Sequence, residues 1–135
     1  MNIFYLHPDP KTAAQMHCDK HCVKMILETA QLLSTAHREL DGDELADRRG
    51  LYKSTHRNHP SAVWARSNRE NYDWLVGLFK GLLEEYTTRY GKRHASSKIL
   101  LPVSLSPLNL KPGEFSPPPQ CMPDEYKCGS TTAAY

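Results

Sequence analysis

Two long stretches of the chain carry apolar residues at steps of three and four, and this spacing predicts two amphipathic helices. We expect the first helix to run from about Pro10 to about His37, with Asp9 as its N-cap and Pro10 in its first turn. The apolar positions of this helix include Ala13, Ala14, Val23, Ile26, Leu27, Ala30, Leu33 and Ala36.

The second helix is predicted to start at Pro60 and end at Tyr90, because Pro60 fits a first helical turn and Gly91 is a natural stop. Ser67 and Glu70 have the spacing of a capping box, which predicts a break or a second start near Ser67. The apolar positions of this stretch are Trp74, Leu75, Leu78, Phe79, Leu82, Leu83 and Tyr86. We expect the two helices to pack antiparallel.

Irregular structure is predicted outside these helices. Met1–Leu6 is short, apolar and β-prone, so we expect a strand or an extended segment tucked into the core. The charged stretch 39–50 predicts a surface loop, and Ser96–Leu101 predicts a short helical turn. Seven of the ten prolines lie between Pro102 and Pro123, which is incompatible with regular helix or sheet there.

The fold class that follows is mainly α: a small single-domain helical bundle with a short N-terminal extended segment and an irregular, proline-rich C-terminal arm. A length of 135 residues suits one domain with its own core. We expect a helical domain over residues 1–101, with the arm, residues 102–135, packed on the same domain.

Composition narrows the function classes only slightly. The formal net charge of +2 is too small to indicate nucleic-acid binding by itself. No stretch approaches the ~20 apolar residues of a membrane span, and the start lacks the features of a signal peptide. We therefore expect no membrane partner, a cytoplasmic location, and four reduced thiols at Cys18, Cys22, Cys121 and Cys128.

The strongest candidate for chemistry is a polar stripe on the first helix. His17, His21, Lys24 and Glu28 are separated by four, three and four residues, which places them on one helix face. This face offers imidazoles, an amine and a carboxylate for acid–base or nucleophilic work, and Lys20 adds a second cation. A solvated face with ion pairs has the same pattern, so both interpretations stay open.

A second candidate is the connector before Pro60, whose hydrogen-bonding side chains are His56, Arg57, Asn58 and His59. Backbone N–H groups at a helix start favour anions, so a phosphate or a carboxylate would suit this place. The alternative is a turn in which Asn58 or His59 only caps the helix.

Aromatic side chains near this connector offer stacking surfaces for a nucleic-acid base. We assign Trp64, Asn71 and Tyr72 to ligand binding. Trp74 is assigned to the core, since aromatic residues at helical spacing are more often core residues.

A metal site is the weaker alternative for the stripe. His17 and His21 have the spacing of two ligands on one helix turn, and so do Cys18 and Cys22. Cys18 occupies the place where a metalloprotease motif needs glutamate. Zinc held by two helix ligands and two arm cysteines stays open, but we predict no metal and no cofactor.

Several short runs of the chain carry a family resemblance. They are Cys18-Asp19-Lys20-His21, Lys24-Met25-Ile26-Leu27-Glu28, Asn58-His59-Pro60, Asn71-Tyr72-x-Trp74 and Met122-Pro123-Asp124-Glu125-Tyr126-Lys127. These runs resemble a family of small, uncharacterised tailed-bacteriophage proteins. The resemblance covers most of the chain and implies a phage protein in the cytoplasm of an infected bacterium.

A short extended start followed by a polar helix, in a helical domain of this length, is similar to the endonuclease V type of pyrimidine-dimer DNA glycosylase. The resemblance implies a nucleophilic α-amine exposed by removal of the initiator methionine, which here would be the amine of Asn2. It also implies a helix glutamate beside that amine. Glu28 is the only glutamate on the first predicted helix and would take this role.

Functions of different classes therefore remain. In the first, a cleft between the first helix and residues 55–64 recognises, and could sequester, a phosphate-bearing ligand, either a nucleotide or a nucleic acid. In the second, the protein is a DNA- or nucleotide-processing enzyme of glycosylase or lyase type that uses Glu28, His21 and Lys24. A third is a module that binds a host protein through the proline-rich arm.

Overall fold

A computed structural model describes residues 3–119, which fold as a helical bundle without strands. Its elements are α1 (Pro10–Gln15), α2 (Asp19–Asp41), α3 (Asp43–Arg48), α4 (Pro60–Ala65), α5 (Arg69–Tyr90), the 3₁₀ helix η1 (Ala95–Ile99) and α6 (Leu100–Ser104). This confirms the predicted fold class. No helix within residues 3–119 has the length and apolar character needed to cross a membrane.

The first predicted helix is wrong as one continuous element, because α1 and α2 are separated by residues 16–18. The chain leaves the helical conformation at Cys18, whose backbone is extended at φ −70° and ψ 160°. The apolar positions used for the prediction include none between Ala14 and Val23, so periodicity alone gives no sign of the break. α2 also ends at Asp41, four residues beyond the predicted end near His37.

The predicted break in the second helical stretch is confirmed, although its cap is not the expected one. Asn68 caps α5 by accepting the Asn71 N–H at 2.9 Å. Ser67 instead donates its hydroxyl to Val63 O at 2.6 Å. Gly91 ends α5 in the left-handed conformation at φ 69°, as the sequence predicts.

The surface loop predicted for residues 39–50 is wrong, since the end of α2 and the whole of α3 occupy most of it. The buried Arg38 organises this segment by donating to Asp47 Oδ1 at 2.8 Å and to Leu51 O at 2.9 Å. These bonds tie the far end of α3 back to α2. The charged composition of this stretch did not indicate α3, because the helix depends on hydrogen bonds to the guanidinium of Arg38.

The two long helices, α2 and α5, pack antiparallel and enclose the core, and α1 lies on α5. Close approach of α1 depends on two glycines of α5. A Cβ at Gly77 would lie 2.7 Å from Pro10 Cγ, and a Cβ at Gly81 would lie 2.8 Å from Ala14 Cβ. A larger side chain at either position would clash with α1 and force the two helices further apart.

Two extended segments cover the bundle. Residues 3–9 form no ladder, and Trp74 Nε1 donates to Pro8 O at 2.7 Å. Residues 105–119 follow the surface, where Trp64 Nε1 donates to Ser116 O at 2.7 Å. Asp41 accepts the backbone N–H groups of residues 108 and 109.

Candidate active site

The start of the described chain lies over the break between α1 and α2. Ile3 and Phe4 are buried. The Phe4 ring centroid is 5.5 Å from that of His17 and 4.5 Å from that of His21. We call Phe4, His17 and His21 the amino-terminal cluster. Phe4 was not predicted as a site residue, and no local pattern connects it with residues 13 and 17 positions further along.

His17 presents an unusual hydrogen-bonding atom to this cluster. Its Nδ1 lies 2.7 Å from Ala13 O, so Nδ1 carries the proton and Nε2 carries the lone pair. The side chain is only 3% exposed, and Nε2 has no hydrogen-bond partner among the described residues. Burial lowers the pKa of His17 to about 4. At neutral pH the ring is therefore uncharged, and its Nε2 is a buried acceptor with no donor among the described residues.

Three of the four residues of the polar stripe, His21, Lys24 and Glu28, lie on α2, whereas His17 lies in the break before it, so the prediction of one helix face is wrong for His17. His21 is buried, and its pKa is lowered by burial and by the charges of Lys20 and Lys24. Lys24 is exposed and Glu28 is half-buried on the following turns. The structure thus brings one buried imidazole, an amine and a carboxylate onto the same helix face.

The connector lies against α2 further along this helix. Thr55 donates its N–H to Thr35 Oγ1 at 3.2 Å. His59 caps α4 by accepting the Ser61 N–H on Nδ1 at 3.1 Å, and burial lowers the pKa of His59. His59 therefore has the capping role that the sequence offered as the alternative, with Nε2 left for a further contact.

The remaining connector residues are exposed. His56 has a positive φ of 49°, and its Nδ1 lies 2.8 Å from Thr55 Oγ1. Arg57 lines a polar cleft of about 470 Å³ together with Arg38, Glu39, Gly42, Asp43, Asp47, Lys53 and Ser54. Asn58 and Lys20 are exposed as well. These side chains could reach phosphates, but the structure does not gather them into one pocket with the amino-terminal cluster.

Three residues predicted to bind ligand lie inside the fold instead. Tyr72 is fully buried and donates its O–H to Val103 O at 2.6 Å, while burial raises its pKa. Trp64 is buried and bonded to the arm. Asn71 donates to Trp64 O and accepts the Ser116 N–H. Stacking or hydrogen bonding to a ligand would require the core to open, so the site described here does not include them.

Trp74 is buried, as predicted. Its indole packs against Tyr5 with the ring centroids 5.3 Å apart. The two tryptophans meet edge to face at 6.3 Å. The aromatic residues of this region thus serve packing and the anchoring of the two covering segments.

The cysteines correct one further expectation. Cys18 is disulfide-bonded rather than a thiol. Cys22 is a free, fully buried cysteine whose pKa is raised by burial. Within residues 3–119, no group of three histidine, cysteine or acidic side chains is arranged to hold a metal ion. Cys121 and Cys128 lie outside the described residues, and so do Met1, Asn2 and the run Met122–Lys127.

Comparison with known protein families gives one match. The family model described as pyrimidine dimer DNA glycosylase matches residues 1–98. The chain belongs to this family. The matched region contains the amino-terminal cluster, the polar stripe of α2, the connector and all of α5. No curated protein and no solved structure gives a significant match.

Family membership confirms the second of the two resemblances noted in the sequence. It makes DNA the expected partner and glycosylase-type chemistry the expected class. The buried ring of His17, whose Nε2 has no partner among the described residues, lies beside Phe4 within the matched region.

Proposed function

We propose that this protein is a DNA glycosylase that excises damaged pyrimidines, with its active site at the amino-terminal cluster and the adjoining stripe of Lys24 and Glu28. The observation that carries the proposal is the buried lone pair of His17 Nε2, in a ring that lies beside Phe4 within the family-matched region. A glycosylase that attacks through an amine needs such an acceptor, because only a deprotonated amine has a lone pair with which to attack.

The proposed reaction starts when the amine attacks C1′ of the damaged nucleotide. A C–N bond forms to the amine, and the bond between C1′ and the pyrimidine nitrogen breaks. The base leaves with that electron pair and takes up a proton. The amine loses a proton, the C1′–O4′ bond then breaks as O4′ takes up a proton, and the product is an iminium ion that joins C1′ of the opened sugar to the protein. Water then hydrolyses it, or loss of a proton from C2′ expels the 3′ phosphate.

Two amines are candidates for the nucleophile. Lys24 lies on α2, one turn beyond His21. The family resemblance points to an α-amine instead. If the mature chain begins at Asn2, that amine belongs to the residue that precedes the buried Ile3 in the sequence.

We assign the proton transfers to side chains of the stripe. His17 Nε2 would accept the proton of the attacking amine, since its lone pair is buried and available at neutral pH. Glu28, the carboxylate of the stripe, would stabilise the positive charge that develops on the sugar. His21, whose ring contacts the same Phe4 ring, would hold or relay a proton.

Phosphate recognition, which the sequence suggested as a function in itself, becomes the DNA-binding part of this proposal. Lys20, His56, Arg57 and Asn58 are exposed and would contact the DNA backbone, with His59 Nε2 as a further contact. The resemblance to tailed-bacteriophage proteins carries no activity of its own and bears only on the proposed setting, an infected bacterium.

The proposal is tested by covalent trapping on DNA. A duplex carrying a single cyclobutane pyrimidine dimer, and a second carrying an abasic site, are incubated with the protein and sodium borohydride, and the adduct is mapped by peptide mass spectrometry. We expect an adduct on Lys24 or on the first residue of the mature chain. Lys24→Ala abolishes the adduct in the first case and leaves it intact in the second.

Lys80→Ala is the matched control, since Lys80 is an exposed lysine on α5 outside the site. Binding of both duplexes without adduct, base release or strand cleavage would overturn the proposal. That outcome would favour a module that recognises and sequesters a phosphate-bearing ligand.

A further inference from the structure

One arginine bridges the break that holds His17. Arg89, in the last turn of α5, donates from Nη1 to His17 O at 2.9 Å and to Asp19 Oδ1 at 3.0 Å. From Nη2 it donates to Gln15 O at 3.2 Å. A single guanidinium therefore contacts the end of α1, the break itself and the start of α2.

These contacts satisfy groups that the break would otherwise leave open. Carbonyls at a helix end lack intrahelical donors, and Gln15 and His17 lie where α1 stops. Arg89 is itself oriented by Glu85, whose Oε1 accepts from Nε at 3.2 Å and from Nη2 at 3.1 Å. The guanidinium is thus fixed by its own helix while it holds the neighbouring segment.

The same helix supplies the rest of the seat for this segment. Gly77 and Gly81 allow α1 to lie directly on α5, which sets the position of the chain up to the break. Among the described residues, the contacts of these two glycines end at Ala14, and from Gln15 onward Arg89 holds the segment through its hydrogen bonds. The direction of the His17 side chain follows from the backbone that Arg89 fixes through the carbonyl of that residue.

We propose that Arg89 is a positioning residue that keeps His17 buried and aimed into the amino-terminal cluster. The inference rests on the proposed function insofar as His17 acts in catalysis. Lysine cannot replace arginine here, because an ammonium group lacks the planar fork that reaches acceptors on both sides of the break. A misplacement of about 1 Å in a catalytic group can reduce a rate about 100-fold.

The test compares Arg89→Lys with Arg48→Lys. Arg48 forms the corresponding ion pair with a glutamate four residues earlier on α3, at 2.6 Å, and is exposed. We expect Arg89→Lys to lower the single-turnover rate of base excision about 10- to 100-fold while the Kd for DNA stays within about twofold. Arg48→Lys should change neither quantity.

An NMR titration of the His17 ring supplies a readout independent of catalysis. The charged and titratable groups that act on His17 within the described residues are His21 and Arg89. Because lysine preserves the charge of Arg89, a rise in the pKa of His17 from about 4 toward its ordinary value of 6.5 reports lost burial. Arg48→Lys should leave this titration unchanged.

The outcomes separate the two proposals. A folded Arg89→Lys protein with unaltered His17 titration overturns the positioning role, whether or not its rate falls. If the wild-type protein cleaves no damaged DNA but the titration shifts, the positioning role stands and the proposed function fails. If Arg89→Lys does not fold, Asp19→Asn, which weakens one acceptor of Arg89, is titrated in its place and judged by the same criterion.

Discussion

Two buried histidines, one just before α2 and one near its C-terminal end, differ in a way that distinguishes a candidate site residue from a core residue. His17 precedes α2 and is 3% exposed, while His37 lies near its end and is 1% exposed. Burial lowers the pKa of each to about 4. By exposure and pKa alone the two residues cannot be told apart.

The difference lies in their hydrogen bonds. His37 Nε2 lies 2.7 Å from Tyr72 Oη, and that hydroxyl donates onward to Val103 O at 2.6 Å. This chain of polar atoms is closed inside the protein. His17 uses Nδ1 on Ala13 O and leaves Nε2 without a partner in residues 3–119. An unsatisfied buried acceptor costs stability, and its retention therefore points to a function that a closed network does not require.

The largest expected effect tests the site side of this comparison. Glu28→Gln should lower the single-turnover rate of base excision by about 10²- to 10⁴-fold, because a neutral amide cannot stabilise a developing positive charge or transfer a proton as a carboxylate does. DNA binding should persist or tighten, since one negative charge is removed. Glu39→Gln, on the same helix and exposed, is the control. Equal rates for Glu28→Gln and wild type would remove the polar stripe from the active site.

The next effect concerns both histidines together. Their folded pKa of about 4 lies below the ordinary value of 6.5, so the unfolded chain binds more protons between these values. The free energy of unfolding therefore has its full value above pH 6.5 and decreases as the pH falls toward 4, by on the order of 3 kcal/mol per histidine. Urea unfolding at pH 7.0 and pH 4.5 measures this loss. A free energy of unfolding that stays flat across this window would show that the rings are not held neutral.

A pair of substitutions then separates the two residues. His37→Phe breaks the contact with Tyr72 and should lower the free energy of unfolding by about 1–3 kcal/mol, while folded protein keeps its excision rate. His17→Phe should cost at most about 1 kcal/mol, since only the bond to Ala13 is lost, yet it should reduce the excision rate at least tenfold. Urea unfolding and single-turnover assays on both variants decide the matter. The reverse pattern would make His37 the functional residue.

The sequence predicted the parts of this molecule that depend on local periodicity. The apolar spacing that defines α5, and the polar stripe from His21 to Glu28, depend only on residues a few positions apart. The break at residues 16–18 was missed because the apolar positions used for the prediction include none between Ala14 and Val23. Arg89 was missed because 72 residues separate it from His17, and no local signal encodes that contact.

The aromatic residues show the opposite error. Trp64 and Tyr72 were assigned to a ligand because they lie close in sequence to a polar connector. Burial against the arm and α6 decides their role, and that packing depends on residues 52 and 31 positions away. A stacking role and a core role have the same sequence pattern, so only the tertiary contacts distinguish them.

The smallest expected effect uses the two tryptophans as a matched pair. Each indole donates one hydrogen bond of 2.7 Å to a backbone carbonyl, Trp74 to Pro8 O and Trp64 to Ser116 O. Substitution by phenylalanine should cost about 1 kcal/mol in either case, because one hydrogen bond to a neutral acceptor is lost. The bond of Trp74 anchors the segment that carries Phe4, whereas the bond of Trp64 anchors the arm.

The two variants should therefore differ in excision rate although they lose similar stability. Trp74→Phe loosens the segment over the amino-terminal cluster and should reduce the single-turnover rate severalfold, while Trp64→Phe should leave the rate and the Kd for DNA within about twofold of wild type. Thermal unfolding checks that both variants lose similar stability. If Trp64→Phe reduced the rate as much as Trp74→Phe, the arm would share in the site, and the boundary drawn here between the amino-terminal cluster and the aromatic core would be wrong.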